Sequence, residues 1–189
     1  MNVAKFIIIA MACVLSGCIT PNGDTPAEKR DHIDALGKNT LAELYQEKPE
    51  AEEKIEGAHG YGVFDVTGSA YLLFGGTGNG YGVVVDKETE TPHYMRFVKG
   101  TAGLGVGIKR SKMIIVFHNA KTYNKFLKNG WDIGIQGDAA MKGKKRGGEA
   151  SGYGSFRRGL DVYQFTDKGV FLRTAIEGTM FGELKKLNK

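Results

Sequence analysis

Cysteine is almost missing from this chain: there are two, Cys13 and Cys18, both near the N-terminus. Neither a disulfide framework nor a cysteine-based metal site can come from them in the body of the protein. Proline, at 4 residues, is too scarce for a Pro/Gly low-complexity sequence. The signatures of catalysis are missing too. His32, His59, His93 and His118 stand 27, 34 and 25 residues apart, so no two share a helical turn and no H-E-x-x-H pattern exists. No G-x-S-x-G surrounds Ser69, Ser111, Ser151 or Ser155, and no serine lies three residues before a lysine. No frame of the glycine clusters at 75–82 and 103–108 gives G-x-G-x-x-G, and no G-x-x-x-x-G-K-[ST] occurs. The expectation is a protein that is not an enzyme and carries no cofactor or metal.

What is present is ordinary in bulk and unusual in one residue. The 189 residues are 41% apolar and 25% charged, enough for one globular domain with a real core. Glycine is the outlier at 28, about twice the usual ~7%. The glycines sit among Val, Ile, Tyr and Phe, which points to strands with close backbone approaches. The net charge of +5 suits acidic partners without naming one.

The N-terminus reads as a targeting segment. Lys5 precedes the apolar run FIIIAMACVL at 6–15, which as a helix covers about 15 Å, half of a ~30 Å hydrocarbon core. That length fits the h-region of a signal peptide, not a membrane span. Leu15-Ser16-Gly17-Cys18 follows and resembles the bacterial lipobox. It implies removal of residues 1–17 and a diacylglycerol thioether on Cys18. Lipidation accounts for an exported cysteine without a partner, and several acyl chains give durable anchoring where one does not. Position 19 is Ile, not the Asp that tends to retain lipoproteins at the inner membrane. The expected location is the cell envelope, at the outer membrane facing the periplasm in a Gram-negative cell.

Residues 18–27 read as a tether, with two prolines and an Asn-Gly pair, and 28–189 as the domain. Ile33, Leu36, Leu41, Leu44 and Tyr45 mark amphipathic helix, with Gly37 and Asn39-Thr40 suggesting a break and Pro49 a new start. From residue 57 the period becomes two. Strands are expected at 61–66, 70–75, 80–86, 93–101, 103–109 and 112–118, and the 75–82 glycines read as a tight hairpin. Asn119 caps a helix with the stripe Ala120, Tyr123, Leu127 and Trp131, ending at Gly130. Further strands are expected at 133–141, 153–165 and 169–177, and the tail 183–189 is expected to fray. Within 142–158, Lys142, Lys144, Lys145, Arg146, Arg157 and Arg158 oppose a single acid, Glu149. This basic segment reads either as a contact for anionic lipid headgroups or as a solvated hairpin loop. Export of a lipid-anchored protein argues against a nucleic-acid partner.

Over residues 50–182 the order of features resembles the SYLF domain family, which includes lipid- and actin-associated eukaryotic proteins and many bacterial lipoproteins. Ala58-His59-Gly60-Tyr61-Gly62-Val63-Phe64 resembles its opening, and Gly76 to Val83 its glycine-rich entry into a strand. Gly103-Leu104-Gly105-Val106-Gly107 resembles its glycine-alternating strand, and Ile114 to Asn119 with Phe126 and Trp131-Asp132-Ile133-Gly134 its strand–helix–tryptophan block. Gly169-Val170-Phe171 with Ile176-Glu177-Gly178-Thr179 resembles its closing strand. Asp65-Val66 stand where a proline is common, and Lys109-Arg110 where the family is more neutral. The resemblance implies a lipid-binding, non-enzymatic domain. The fold expected is α+β: N-terminal helices on a curved or barrel-like, mostly antiparallel sheet, with one further crossing helix. The function expected is binding of anionic phospholipid by a lipid-anchored envelope protein. The alternative is an envelope scaffold that binds a protein or glycan partner.

Overall fold

The structure, a computed structural model, describes residues 20–72, 75–102, 107–129, 159–166, 169–173 and 179–189. Cys18, Gly105, Trp131, the strand expected at 133–141 and the basic segment 142–158 lie outside these residues.

The first helix, α1 (Pro26–Glu47), starts within the segment read as tether. Its capping box explains the start: the Thr25 hydroxyl accepts from the Glu28 N–H at 3.2 Å, and the Glu28 carboxylate accepts from the Thr25 N–H at 3.1 Å and the Asp24 N–H at 2.7 Å. Those backbone donors hold the Glu28 carboxyl below its ordinary pKa. The helix runs unbroken through Gly37, contrary to the break expected there. Gly37 is buried, and a methyl group on it would stand 3.5 Å from the Val83 side chain. That is ordinary packing distance, so Gly37 lies in the helix–sheet contact and does not end the helix. Ile33, Gly37, Thr40 and Leu44 form the buried stripe. A short helix, α2 (Glu50–Glu56), follows.

Among the described residues, seven antiparallel strands make one open sheet in the order β6-β5-β4-β1-β2-β3-β7: β1 (Gly60–Leu72), β2 (Gly75–Asp86), β3 (Pro92–Ala102), β4 (Gly107–Phe117), β5 (Leu160–Thr166), β6 (Gly169–Arg173) and β7 (Thr179–Glu183). The fold is α+β, as expected. The sheet is curved and not closed into a barrel. The strand expected at 61–66 and the start of the one expected at 70–75 are one strand, β1, with an extra residue between Asp65 and Ser69 relative to both neighbours, and Gly75 already belongs to β2. Such a bulge bends the strand and increases its twist. The third helix, α3 (Ala120–Asn129), opens where expected, with the Asn119 carboxamide oxygen accepting from the Thr122 N–H at 2.9 Å.

The glycine cluster at 75–82 lies within β2, which corrects the hairpin reading. Glycine is needed there for room. A methyl group on Gly80 would meet the Phe97 ring at 2.7 Å, and one on Gly82 would meet the Phe64 ring at 2.6 Å as well as the Val63 carbonyl. Gly82→Ala should therefore overpack this face and cost about 1–3 kcal/mol; equal urea midpoints for variant and parent would refute the close approach.

The rings those glycines admit form the core of one sheet face. Phe64, Phe97, Phe117 and Phe181 pack there with Phe126 and Tyr123 of α3. Phe64 and Phe181 have ring centroids 5.0 Å apart. Their strands are three positions apart in the sheet, which is about 14 Å in a flat one. The sheet must curl around the aromatic cluster, with α3 across its hollow. On the outer face α1 and α2 cover Val63, Ile114, Val116, Tyr163, Phe165 and Val170.

The C-terminal tail is held, not frayed. Leu187 is buried with Ile33, Tyr81, Val83 and Tyr94. The Asn188 side chain brackets the Tyr94 backbone, accepting its N–H at 2.8 Å and donating to its carbonyl at 2.9 Å, and Arg30 donates to the Leu187 carbonyl at 3.2 Å. All residues of the three apolar clusters fall between Ile33 and Leu187. A chain starting at residue 19 therefore retains the whole described core and the α1 cap, and folds on its own.

Candidate functional site

Strand register gathers chemistry along one end of the sheet. Asp86 and Phe117 both stand opposite Gly60, and Leu160 stands opposite Phe117, so the end of β2, the start of β1, the end of β4 and the start of β5 form one row. Two histidine–carboxylate pairs flank it. His59 Nε2 lies 3.6 Å from the Asp86 carboxylate, and His118 Nε2 lies 3.2 Å from that of Asp161. The Asp161 carboxylate is only 4% exposed, with the Lys54 ammonium of α2 at 3.9 Å. A buried carboxylate needs such company. Desolvation alone would raise the pKa of Asp86. Its bonds from the Thr89 and Glu88 N–H groups, at 3.1 and 2.9 Å, and the facing His59 outweigh that and lower it. Lys87 donates to the carbonyls of Ile55 and Glu56, closing the C-terminus of α2.

These groups hold the frame. The two pairs sit about two strand spacings apart, roughly 10 Å, and among the described residues no group of three or more His, Cys, Asp or Glu can hold a metal ion. A third histidine, His32, meets the Tyr81 hydroxyl at 3.1 Å. Nearby, the Tyr94 hydroxyl donates to Asp34 at 3.0 Å; burial first and that carboxylate second push its pKa up to about 12. The Tyr123 hydroxyl is buried without a hydrogen-bond partner among the described residues, and burial raises its pKa further. Tyr94 and Tyr123 stay protonated at neutral pH and act as structure.

Charge is sorted by layer. Residues 24–56, which make α1 and α2, carry ten acids and five bases; the seven strands and α3 together carry four acids and nine bases. Lys112 of β4 pairs with Glu43 of α1, and Glu47 accepts the Val170 N–H at 3.1 Å at the β6 edge, so part of the acidic layer is used to seat the helices. On the opposite face α3 carries Lys121, Lys125 and Lys128 and has no acid.

The expected site residues Cys18, Lys142, Lys144, Lys145, Arg146, Arg157 and Arg158 lie outside the described residues. Of the basic segment's two neighbours in the chain, Gly159 is among the described residues. The chain leaves at Asn129, the last residue of α3, and returns at Gly159 beside the first turn of the same helix. A methyl group on Gly159 would collide with the Asn119 side chain and meet the Thr122 hydroxyl at 2.7 Å, and the Gly159 φ of +104° excludes most other residues. Gly159, the residue after Arg158, is thus fixed against the first turn of α3.

No known protein-family profile matches the chain. It is similar to a protein called Beta cell expansion factor A from Aeromonas veronii, 27% identical over 160 residues. The match covers 85% of this chain and 59% of that protein's length.

Proposed function

We propose that this chain is a non-enzymatic, lipid-anchored protein of the cell envelope whose SYLF-like domain binds anionic phospholipid. Cys18 is the anchor, and the basic segment 142–158 is the headgroup contact. The observation that carries the reading is the sorting of charge. A net-basic sheet and α3 stand against a net-acidic helical layer, and Arg158, the last of the six cations, precedes Gly159 beside the first turn of α3. A molecule of this polarity meets an anionic surface basic side first. The described aromatic cluster is packed shut under α3. Among the described residues, surface charge and not an apolar pocket is what the domain offers a bilayer.

The test uses the chain from residue 19, since acyl chains would mask a weaker contact. Lys144→Ser, Lys145→Ser and Arg146→Ser together remove three charges outside the apolar pattern. At about 1 kcal/mol per surface cation, binding to phosphatidylglycerol vesicles should fall by roughly two decades at low salt. The fall should shrink at 0.15 M salt, where the Debye length is ~8 Å. Co-sedimentation equal to the parent's at both salts would leave 142–158 as a solvated loop.

A second reading, a scaffold for a protein or glycan partner, has one observation in its favour. Val98 and Met180 face each other across β3 and β7, exposed at 47% and 54%, next to an edge strand. Exposed apolar pairs beside an open edge suit partner strands. Retention of all vesicle binding by Val98→Lys, with loss of an envelope partner in crosslinking, would favour it.

A further inference from the structure

The outward face of α3 bears on the same reading, which assigns lipid contact to the 142–158 segment alone. Lys121, Lys125 and Lys128 are exposed and spaced i, i+4, i+7, so they share one stripe. Tyr123, Phe126 and Leu127 share the opposite stripe, about 180° away at 100° per residue, and pack into the aromatic core. Phe126 locks the helix by ring contacts at 5.0 Å to Phe117 and 4.8 Å to Phe181. The lysines are therefore presented by a rigid element in a fixed plane. Lys121, Asn124, Lys125 and Lys128 cover the helix surface, and no acid occurs from 119 to 131. The acidic layer lies beyond the sheet. Stacked layers sit about 10 Å apart, so its repulsion is separated from this face by more than the ~8 Å screening length at physiological salt.

We infer that α3 is itself a membrane-docking face: its Lys121–Lys125–Lys128 stripe lies on the headgroups of an anionic bilayer and fixes the orientation of the domain, with α1 and α2 turned away. The inference rests on the lipid-binding reading and goes beyond it by adding a folded surface and a pose. The occupant is a bilayer because the stripe spans two helical turns of a convex, exposed surface, which suits many shallow phosphate contacts. A single bound anion would need a cleft.

The test uses the chain from residue 19 in three forms: Lys121→Gln with Lys128→Gln, the same pair as Lys→Arg, and Lys38→Gln with Lys48→Gln on and just after α1. Each cation near an anionic surface strengthens binding about fivefold. The α3 glutamine pair should therefore lose about 25-fold in partition onto phosphatidylglycerol vesicles at low salt, while the arginine pair and the α1 pair bind within about twofold of the parent. Unchanged far-UV circular dichroism and melting temperature establish that the fold is kept, as expected for substitutions among good helix formers. Parent-like binding by the α3 glutamine pair, together with a loss in the 144–146 serine variant, overturns the docking face and leaves the lipid-binding reading standing. Equal losses for the α1 and α3 pairs overturn the orientation, since only net charge would then matter. No binding by the parent overturns both. Binding to phosphatidylcholine vesicles as strong as to phosphatidylglycerol also overturns the inference, because the stripe supplies only charge.

Discussion

Phe64→Ala is expected to lower the unfolding free energy by about 3–5 kcal/mol, a drop of about 6–20 °C in melting temperature for a domain of this size. Phe64 is fully buried and makes ring contacts with three elements: Phe97 on β3 at 5.8 Å, Phe181 on β7 at 5.0 Å and Phe126 on α3 at 6.4 Å. Edge-to-face geometry adds about 0.5–1.5 kcal/mol per pair beyond burial. The ring also fills space that no neighbour can take, because Gly62 and Gly82 beside it have no side chain to move in. Collapse of the cavity is thus limited, which is the condition for a cost near the top of the range. Phe64→Leu should lose clearly less. Val98→Ala, on the exposed side of β3, should fall within about 0.5 kcal/mol of the parent. Urea titrations with a common m-value decide the matter; a loss below about 1.5 kcal/mol for Phe64→Ala would show that the sheet does not curl around this ring.

The sequence discloses those elements whose pattern is carried by side chains of both kinds. α3 has a capping Asn119 and a helical apolar spacing, so its position is visible in advance; of its expected stripe Tyr123 and Leu127 face the core, Ala120 is exposed, and the buried Phe126 is an addition. β3 sets Tyr94 against Met95 and Phe97 against Val98, and its expected span of 93–101 falls one residue short at each end. β2 is harder to see because its inner positions, Gly80 and Gly82, hold no side chain and mimic a turn. The reason for those glycines is the close approach of the β1 carbonyls of Asp65 and Val63 together with a pair of rings from β1 and β3, which only the register reveals. Gly37 misleads too, since α1 runs through it and buries it against Val83. The tail looks free because its charges suggest solvent, whereas one buried Leu187 and the side chain of Asn188 tie it to β3. His59 and His118 look isolated in the chain; their partners Asp86 and Asp161 lie 27 and 43 residues away and arrive through strand pairing. Of the site itself, the six cations at 142–158 are legible as charge density. The stripe on α3 is legible only as helix spacing. What makes it a surface is the rigid seat of Tyr123 and Phe126 beneath it, and that depends on rings from β1, β4 and β7 distant in sequence.

Cys18→Ser should have the largest effect on where the protein resides. In the proposed function the acyl chains on Cys18 supply most of the membrane affinity, at about 0.8 kcal/mol per buried CH₂. The cationic contact adds about 1 kcal/mol per charge before screening. Serine has no thiol to form the thioether, so lipidation and the cleavage coupled to it should both stop. The variant should accumulate as an unlipidated form, soluble or uncleaved, with no acyl label in a metabolic labelling gel. The folded domain should be unaffected, since the described core begins at Ile33 and the α1 cap at Thr25; its melting temperature after proteolytic trimming should match that of the chain from residue 19. Whatever trimmed Cys18→Ser material still partitions onto anionic vesicles does so through the domain alone. That remaining binding should vanish at high salt, and lipid-anchored binding should not. Acyl labelling and membrane retention of the Cys18→Ser variant at parental levels would show that the anchor lies elsewhere. Salt-resistant binding by the trimmed form would show that the domain holds the bilayer by burial, not by charge.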